Sequence, residues 1–148
     1  MRVNTQFPVA VHILAVLAFF GDKPCSSEVV GRSVGTNPVV VRRIVSQLKK
    51  AGLVKTGAGS RGTTLRKAPG EITLLEVYRA LHPSEEALFD LHPNPSLKCP
   101  IGAYIHEAVN APLSDAQQAM EERLASYTVR DVAEGISQRN GLALGQLG

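Results

Sequence analysis

Residues 27–54, SEVVGRSVGTNPVVVRRIVSQLKKAGLV, decide the fold of this 148-residue chain. The stretch predicts two helices, over 27–34 and about 37–51, that are joined by a short turn at Gly35. Glycine is favoured directly after a helix, and the pair Asn37-Pro38 combines a favoured N-cap residue with a favoured first residue. Two helices joined by so short a turn are typical of a helix-turn-helix unit.

The second of these helices has one apolar and one polar face. Apolar residues recur at i, i+3, i+4 and i+7, which predicts that this face is buried. The apolar positions are Val41, Ile44, Val45 and Leu48, and the opposite face carries Val39, Arg43, Ser46 and Lys50, flanked by Val40, Arg42, Gln47 and Lys49.

The segment after this helix predicts a β-hairpin. Short runs of β-forming residues, 53–56 and 63–66, flank the glycine-rich tip 57–62. The tip is not a nucleotide-binding loop, because no Gly-Lys-Ser/Thr motif follows it. Helix, helix, tight turn, helix and hairpin in this order predict a winged helix-turn-helix, so the fold class is mainly α with a small β-wing.

The apolar segment 5–20 precedes this unit. It is apolar on nearly all sides, which predicts a first helix buried in the core. It is too short for a membrane span, which needs roughly 20 residues. A secretory signal is the alternative, but His12 interrupts the apolar run and residues 21–24 are typical of a helix end. We therefore expect a cytoplasmic protein whose cysteines are reduced.

The C-terminal half predicts further helices around a proline-rich loop. Thr73-x-x-Glu76 is a capping box that predicts a helix through Leu81. Cys99-Pro100 predicts the start of another helix that Pro112 ends, and Ser114-x-x-Gln117 predicts a second cap. Thr128-x-x-Asp131 predicts a last short turn. The expected organisation is a winged helix-turn-helix domain over 1–81, a loop over 82–99, dimerisation helices over 100–136 and a loose tail over 137–148.

Charge is distributed unevenly along the chain. Residues 1–70 contain 11 Lys/Arg and 2 Asp/Glu, a net +9, whereas residues 71–148 contain 5 Lys/Arg and 11 Asp/Glu, a net −6. A basic half next to an acidic half indicates a module that binds a polyanion. With 44% hydrophobic residues and two cysteines, the chain is neither disordered nor a disulfide scaffold.

The order of the helices and the hairpin, the short turn and the basic N-terminal half together predict binding to double-stranded DNA. Arginines in the third helix suit guanine or phosphate, the neighbouring valines suit thymine methyl groups, and the free amides of the first helical turn suit a phosphate. Arg61 at the wing tip suits a minor groove. The candidate DNA-binding residues are Asn37, Val39, Val40, Arg42, Arg43, Ser46, Arg61, Gly62 and Thr63.

The sequence resembles the Rrf2 winged-helix regulators of the IscR/NsrR/CymR type over roughly residues 1–135. The resemblance implies a homodimeric DNA-binding transcriptional regulator, usually a repressor, with a long C-terminal helix that crosses between subunits. The residues that carry it are Asn37-Pro38-Val39-Val40-Val41-Arg42-Arg43, Leu48-Lys49-Lys50-Ala51-Gly52-Leu53-Val54, Gly59-Ser60-Arg61-Gly62 and Ile72-Thr73-Leu74-Leu75-Glu76-Val77.

The chain departs from the cluster-binding branch of that family. Those members place three cysteines in the region that corresponds to 82–99, where this chain has only Cys99. An iron–sulfur cluster generally needs more thiolate ligands, and the spacing of His82, His92 and His106 matches no zinc pattern. We therefore expect no cofactor and no metal.

Cys99 is instead a candidate redox-sensing thiol. A cysteine at the cap of a helix that begins with Pro100 lies at the positive end of the helix dipole, and Lys98 adds positive charge, so the thiolate is favoured. Oxidants and electrophiles attack the thiolate. An inert packing residue and a small-ligand site are the alternatives for Cys99, whereas Cys25 is assigned a packing role.

The predicted function is a homodimeric transcriptional regulator, expected to be a repressor, that binds a near-palindromic operator and is modulated at Cys99. The alternatives are control by a small ligand, a metal or an iron–sulfur cluster, and a winged-helix module that binds protein. No catalytic Ser/His/Asp set is present in the sequence, so no enzyme is predicted. The residues predicted at the dimer interface are Ile105, Met120, Leu124 and Tyr127.

Overall fold

The computed structural model describes residues 5–57, 62–83 and 89–147, which form a mainly helical fold with a small antiparallel sheet. None of the described helices is both long and apolar enough to cross a membrane. In chain order the elements are α1 (Gln6–Phe20), α2 (Ser27–Val34), α3 (Pro38–Lys50), β1 (Val54–Thr56), β2 (Thr63–Leu65), a short 3-10 helix (Pro69–Glu71), α4 (Leu74–Leu81), α5 (Ile105–Ala125) and α6 (Val129–Asn140).

Helix α1 is the centre of the hydrophobic core. It is apolar nearly all round and packs against α2, α3, α4, α6 and β2, as its sequence predicts. Burying this helix supplies much of the hydrophobic stabilisation, at about 25 cal/mol per Å² of apolar surface. Its fully or nearly fully buried residues are Ala10, Ile13, Leu14, Ala15, Leu17, Ala18 and Phe19.

The helix-turn-helix unit has the predicted caps. Asn37 Oδ1 accepts a hydrogen bond from Val39 N at 2.8 Å, and Pro38 begins α3. Gly35 ends α2 in the left-handed conformation, with φ +78°. Gly31 allows the tight turn, because a Cβ there would lie 3.0 Å from Thr36 O. Local capping chemistry therefore sets where α2 ends and where α3 begins.

The wing is the two-stranded sheet of β1 and β2, with Val54 paired to Leu65 and Thr56 to Thr63. An isolated bridge between Cys25 and Thr63 joins this sheet to the segment that leads into α2. The wing is thus tied directly to the helix-turn-helix unit.

The prediction of a helix from Cys99-Pro100 to Pro112 is wrong. Residues 97–104 form turns, and α5 begins at Ile105 and continues through Pro112 to Ala125. Gly102 allows these turns, because a Cβ there would lie 2.5 Å from Ser96 O. Pro112 has no N–H, so α5 loses one backbone hydrogen bond there, yet the helix continues through it.

The capping box predicted at Ser114-x-x-Gln117 accordingly lies inside α5 and caps nothing. The long helix that the family resemblance implied is present instead of two shorter ones. At 1.5 Å per residue, its 21 residues span about 31 Å.

The prediction of a last short turn and a loose tail is also wrong. Thr128 and Asp131 form a complete capping box, but the helix that they cap, α6, is 12 residues long. Val129 and Ala133 of α6 are buried in the core. The tail then returns to α1, where Gly145 N donates to Ala18 O at 3.2 Å and Leu147 N donates to Phe19 O at 2.9 Å.

The tail docks because it completes α1. The last carbonyl groups of a helix have no partner within the helix, and the amides of the tail supply them. Leu142 and Leu144 also pack against the core. The tail is therefore ordered by contacts with α1, which is distant in sequence, although the sequence pattern of the tail itself is weak.

Candidate nucleic-acid interface

One exposed face of α3 carries four cationic side chains. Arg42 and Arg43 are exposed and have no ion-pair partner within the described residues. Val39 on the same face is 59% exposed. The exposed residues of this face, called the α3 basic face below, are Val39, Arg42, Arg43, Ser46, Lys49 and Lys50.

The backbone N–H groups in the first turn of α3 were expected to be free to bind a phosphate, but they are already hydrogen-bonded within the chain. Val39 N donates to Asn37 Oδ1, and Val40 N and Val41 N both donate to Asn37 O, at 3.0 and 3.3 Å. Pro38 has no N–H. Asn37 is exposed and retains its side-chain NH₂, which is the group left to donate to a phosphate.

Val40 does not share the exposure of Val39. It is half-buried and packs against the core cluster. Successive helical positions are about 100° apart, so two neighbouring valines cannot both point away from the core. Of the two valines expected to meet thymine methyl groups, the structure exposes only Val39.

A groove of about 690 Å³ runs between α3, the start of α2 and the base of the wing. Across it, Lys49 Nζ donates to Thr56 Oγ1 at 2.8 Å, which ties α3 to β1. Residue spacing does not predict this contact, because it does not show that the wing folds back onto α3. The residues that line the groove include Ser26, Ser27, Arg42, Ser46, Lys49 and Thr63.

Gly62 and Thr63 lie at the base of the wing. Gly62 has φ +107°, and a Cβ there would lie 2.7 Å from the Cys25 backbone. Thr63 is 8% exposed. Both residues hold the wing against the segment before α2, so the structure gives them an anchoring role. Arg61, predicted at the wing tip, lies outside the described residues.

The two cysteines have opposite environments. Cys25 is buried, and burial raises the pKa of its thiol, in agreement with a packing role. Cys99 is exposed, and the backbone N–H groups of Gly102 and Ile101 hydrogen-bond its sulfur and lower the pKa of its thiol. The lowered pKa that the sequence predicted is therefore present, but a turn causes it rather than a helix dipole.

The residues predicted at a dimer interface lie along or beside α5. Ile105, Met120 and Leu124 are half-buried within the chain, and Tyr127 is 51% exposed. No residue of α5 is fully buried, although the helix has 21 residues. Its anchor is at its C-terminal end, where Leu74 N donates to Tyr127 O at 2.9 Å.

The iron–sulfur alternative lacks a suitable ligand set. Within the described ranges, no three His, Cys, Asp or Glu side chains lie close enough to hold a metal ion. His92 and His106 are neighbours, with ring centroids 5.1 Å apart, but His106 Nε2 is hydrogen-bonded to His92 O at 2.9 Å. The single cysteine in the adjacent loop, Cys99, does not by itself complete a cluster site.

Comparison with known proteins agrees with this geometry. Residues 3–135 match the Rrf2 family, described as iron-dependent transcriptional regulators. YwnA of Bacillus subtilis (strain 168), whose name places it among HTH-type transcriptional regulators, is 47% identical over 130 residues, which cover 88% of this chain and 96% of YwnA.

Two solved structures support the same assignment. A crystal structure of a protein described as DNA binding is 42% identical with a TM-score of 0.72, and the match covers 86% of this chain and 98% of that one. IscR of T. potens has a TM-score of 0.71 at 22% identity, covering 95% and 91% of the two chains, which shows the shared fold. The chain belongs to the Rrf2 family and is a DNA-binding transcriptional regulator, not an enzyme.

Proposed function

We propose that the chain acts in the cytoplasm as a homodimeric repressor that binds a near-palindromic operator through two copies of the α3 basic face. We further propose that modification of Cys99 controls the affinity for DNA. Repression, as opposed to activation, follows from the family resemblance. The other elements of the proposal rest on the residues described above.

The observation that carries the proposal is the pair of exposed, unpaired arginines on the helix that follows the tight turn. Arg42 and Arg43 meet no carboxylate within the described residues, so their guanidinium groups are available to a ligand. A guanidinium bonds the O6 and N7 atoms of guanine in the major groove with two parallel hydrogen bonds. Val39 on the same face suits a thymine methyl group, and Ser46 suits either a base or a phosphate.

Dimerisation is supported by the exposure of α5. A helix of 21 residues without a fully buried side chain is stabilised only weakly by packing against its own chain. Pairing two such helices about a two-fold axis would bury their apolar residues. The two recognition helices would then lie about 34–36 Å apart, which matches successive major grooves on one side of the duplex.

Control by thiol chemistry is supported by the setting of Cys99. Two backbone hydrogen bonds to the exposed sulfur lower the pKa of the Cys99 thiol, so its reactive thiolate forms at a lower pH than in an ordinary cysteine. It lies six residues before α5, in the segment that joins the helix-turn-helix unit to α5. Added bulk or charge there would displace α5 and change the spacing of the two recognition helices.

Footprinting of the protein on its own upstream DNA, reduced and after treatment with peroxide, diamide or a quinone, tests the proposal. We expect a protected near-palindrome whose protection is lost on oxidation in wild type and Cys25→Ser, but not in Cys99→Ser. Affinity should fall steeply with salt, because phosphate contacts release counterions. A protein-interaction module would show neither a footprint nor a salt dependence, and an equal response of wild type and Cys99→Ser would exclude Cys99 as the sensor.

A further inference from the structure

The wing is hydrogen-bonded to the helix-turn-helix unit through both of its strands. On the β2 side, the bridge between Cys25 and Thr63 joins the wing to the segment before α2. On the β1 side, Lys49 Nζ of α3 donates to Thr56 Oγ1 at 2.8 Å. Thr56 is paired with Thr63 across the sheet, so the two contacts are continuous with each other. We call the series Lys49, Thr56, Thr63 and Cys25 the wing strap.

The wing strap borders the groove between α3, the start of α2 and the wing, because all four of its residues line that groove. Lys49 belongs to the α3 basic face, but one of its N–H donors is already used on the wing. An ammonium group has three donors and no acceptor, so the hydroxyl oxygen of Thr56 is the acceptor. The charge of Lys49 is therefore held at β1 and suits a contact within the protein.

The two ends of the wing strap differ in strength. The Cys25–Thr63 end consists of two backbone hydrogen bonds, at 3.0 and 2.9 Å. The Lys49–Thr56 end is one hydrogen bond between two exposed side chains, and such contacts add little to the stability of a fold. Loss of the Lys49–Thr56 bond therefore leaves the wing folded and attached on its β2 side, but frees its β1 side to move relative to α3.

We propose that Lys49 and Thr56 are positioning residues for DNA binding. Their hydrogen bond holds β1 against the C-terminal half of α3, and so sets where the wing meets a duplex that is bound by the α3 basic face. The inference rests on the proposed recognition of DNA by that face. A wing without this bond loses more conformational freedom when it binds, so the affinity for DNA falls although the fold is retained.

Thr56→Val in the full chain tests the wing strap, because valine keeps the shape of threonine and removes the acceptor. By fluorescence anisotropy with the footprinted duplex, we expect its Kd to rise about two- to ten-fold. Thr56→Ser keeps a hydroxyl group and should keep the wild-type Kd. Thr64→Val is the control, because it removes the hydroxyl group of the β2 residue that pairs with Lys55, and it should also bind as wild type does. Hydrogen exchange of the wing amides in the free protein should accelerate in Thr56→Val but not in Thr56→Ser.

A double-mutant cycle separates positioning from a direct contact with DNA. Lys49→Met removes the ammonium group, and Thr56→Val should cause no further rise in Kd in that background if the two residues act as one unit. A full further rise would mean that the Thr56 hydroxyl contacts DNA itself. That result, or an unchanged Kd or unchanged exchange in Thr56→Val, would overturn the proposal. If Thr56→Val weakens binding while Arg42→Ala and Arg43→Ala do not, the positioning role is retained and the proposed recognition by the α3 basic face is wrong.

Discussion

Cys25 and Thr63 exchange two backbone hydrogen bonds, from Cys25 N to Thr63 O at 3.0 Å and from Thr63 N to Cys25 O at 2.9 Å. This bridge joins the wing to the segment immediately before α2. The bridge therefore restricts the movement of the wing relative to the start of α2. The bridge is possible because the residue before Thr63 is a glycine.

Gly62→Ala tests this anchor. The added Cβ would lie 2.7 Å from the Cys25 backbone, and φ is +107°. We expect a loss of about 1–3 kcal/mol in the free energy of unfolding, measured by urea denaturation, together with weaker DNA binding. Gly70→Ala is the matched control, because its Cβ would meet only Arg130 Cδ at 3.6 Å. Equal stability of the two variants would show that the wing is not anchored here.

Removal of residues 141–148 tests the docked tail. The truncation removes the two hydrogen bonds to the end of α1 and the packing of Leu142 and Leu144. We expect the free energy of unfolding to fall by at least about 2 kcal/mol, because each of the two hydrogen bonds contributes about 1 kcal/mol and the lost apolar burial adds to that. Thermal unfolding measures the change. An unchanged Tm would mean that the tail is as loose as its sequence suggests.

Local chemistry made much of the fold predictable. The caps at Asn37 and Thr73 and the glycine after α2 act over two to four residues, so the end of α2 and the starts of α3 and α4 follow from the sequence. The apolar periodicity of α3 likewise predicted which residues are buried. The exposure of Arg42 and Arg43 on the same helix followed from that pattern.

The errors arose where distant contacts decide the structure. The tail is ordered by α1, which is more than 120 positions away in sequence. Thr63 was predicted to contact DNA from the wing. In the structure it is buried and pairs with Cys25, which lies 38 positions earlier in the sequence. None of these pairings leaves a periodic signal along the chain.

Met120→Glu tests the proposed dimer. The charge would lie on the apolar side of α5, where a partner helix would bury it at a large desolvation cost. We expect sedimentation to change from dimer to monomer and DNA affinity to fall together with it. Ala119→Glu places the same charge on the neighbouring exposed position and should remain dimeric. Wild type that sediments as a stable monomer at micromolar concentration would exclude the dimer.

The pH dependence of alkylation tests the two thiols separately. Two backbone N–H groups lower the pKa of Cys99, so its thiolate forms, and its reaction with iodoacetamide accelerates, at a lower pH than for free cysteine. Burial raises the pKa of Cys25, which should react only after unfolding. Mass spectrometry of the labelled peptides measures both rates. A Cys99 that titrates like free cysteine would remove the basis for its sensing role.

The affinity of the α3 basic face for DNA tests the central claim most directly. Fluorescence anisotropy with the footprinted duplex should give a Kd that rises about 5- to 150-fold, or about 1–3 kcal/mol, in Arg42→Ala or Arg43→Ala. Arg130→Ala is the control and should keep the wild-type Kd. It removes an exposed arginine of α6, whose Nε lies 2.7 Å from Glu134 Oε1. If both α3 variants bind the duplex as tightly as wild type, α3 is not the recognition helix.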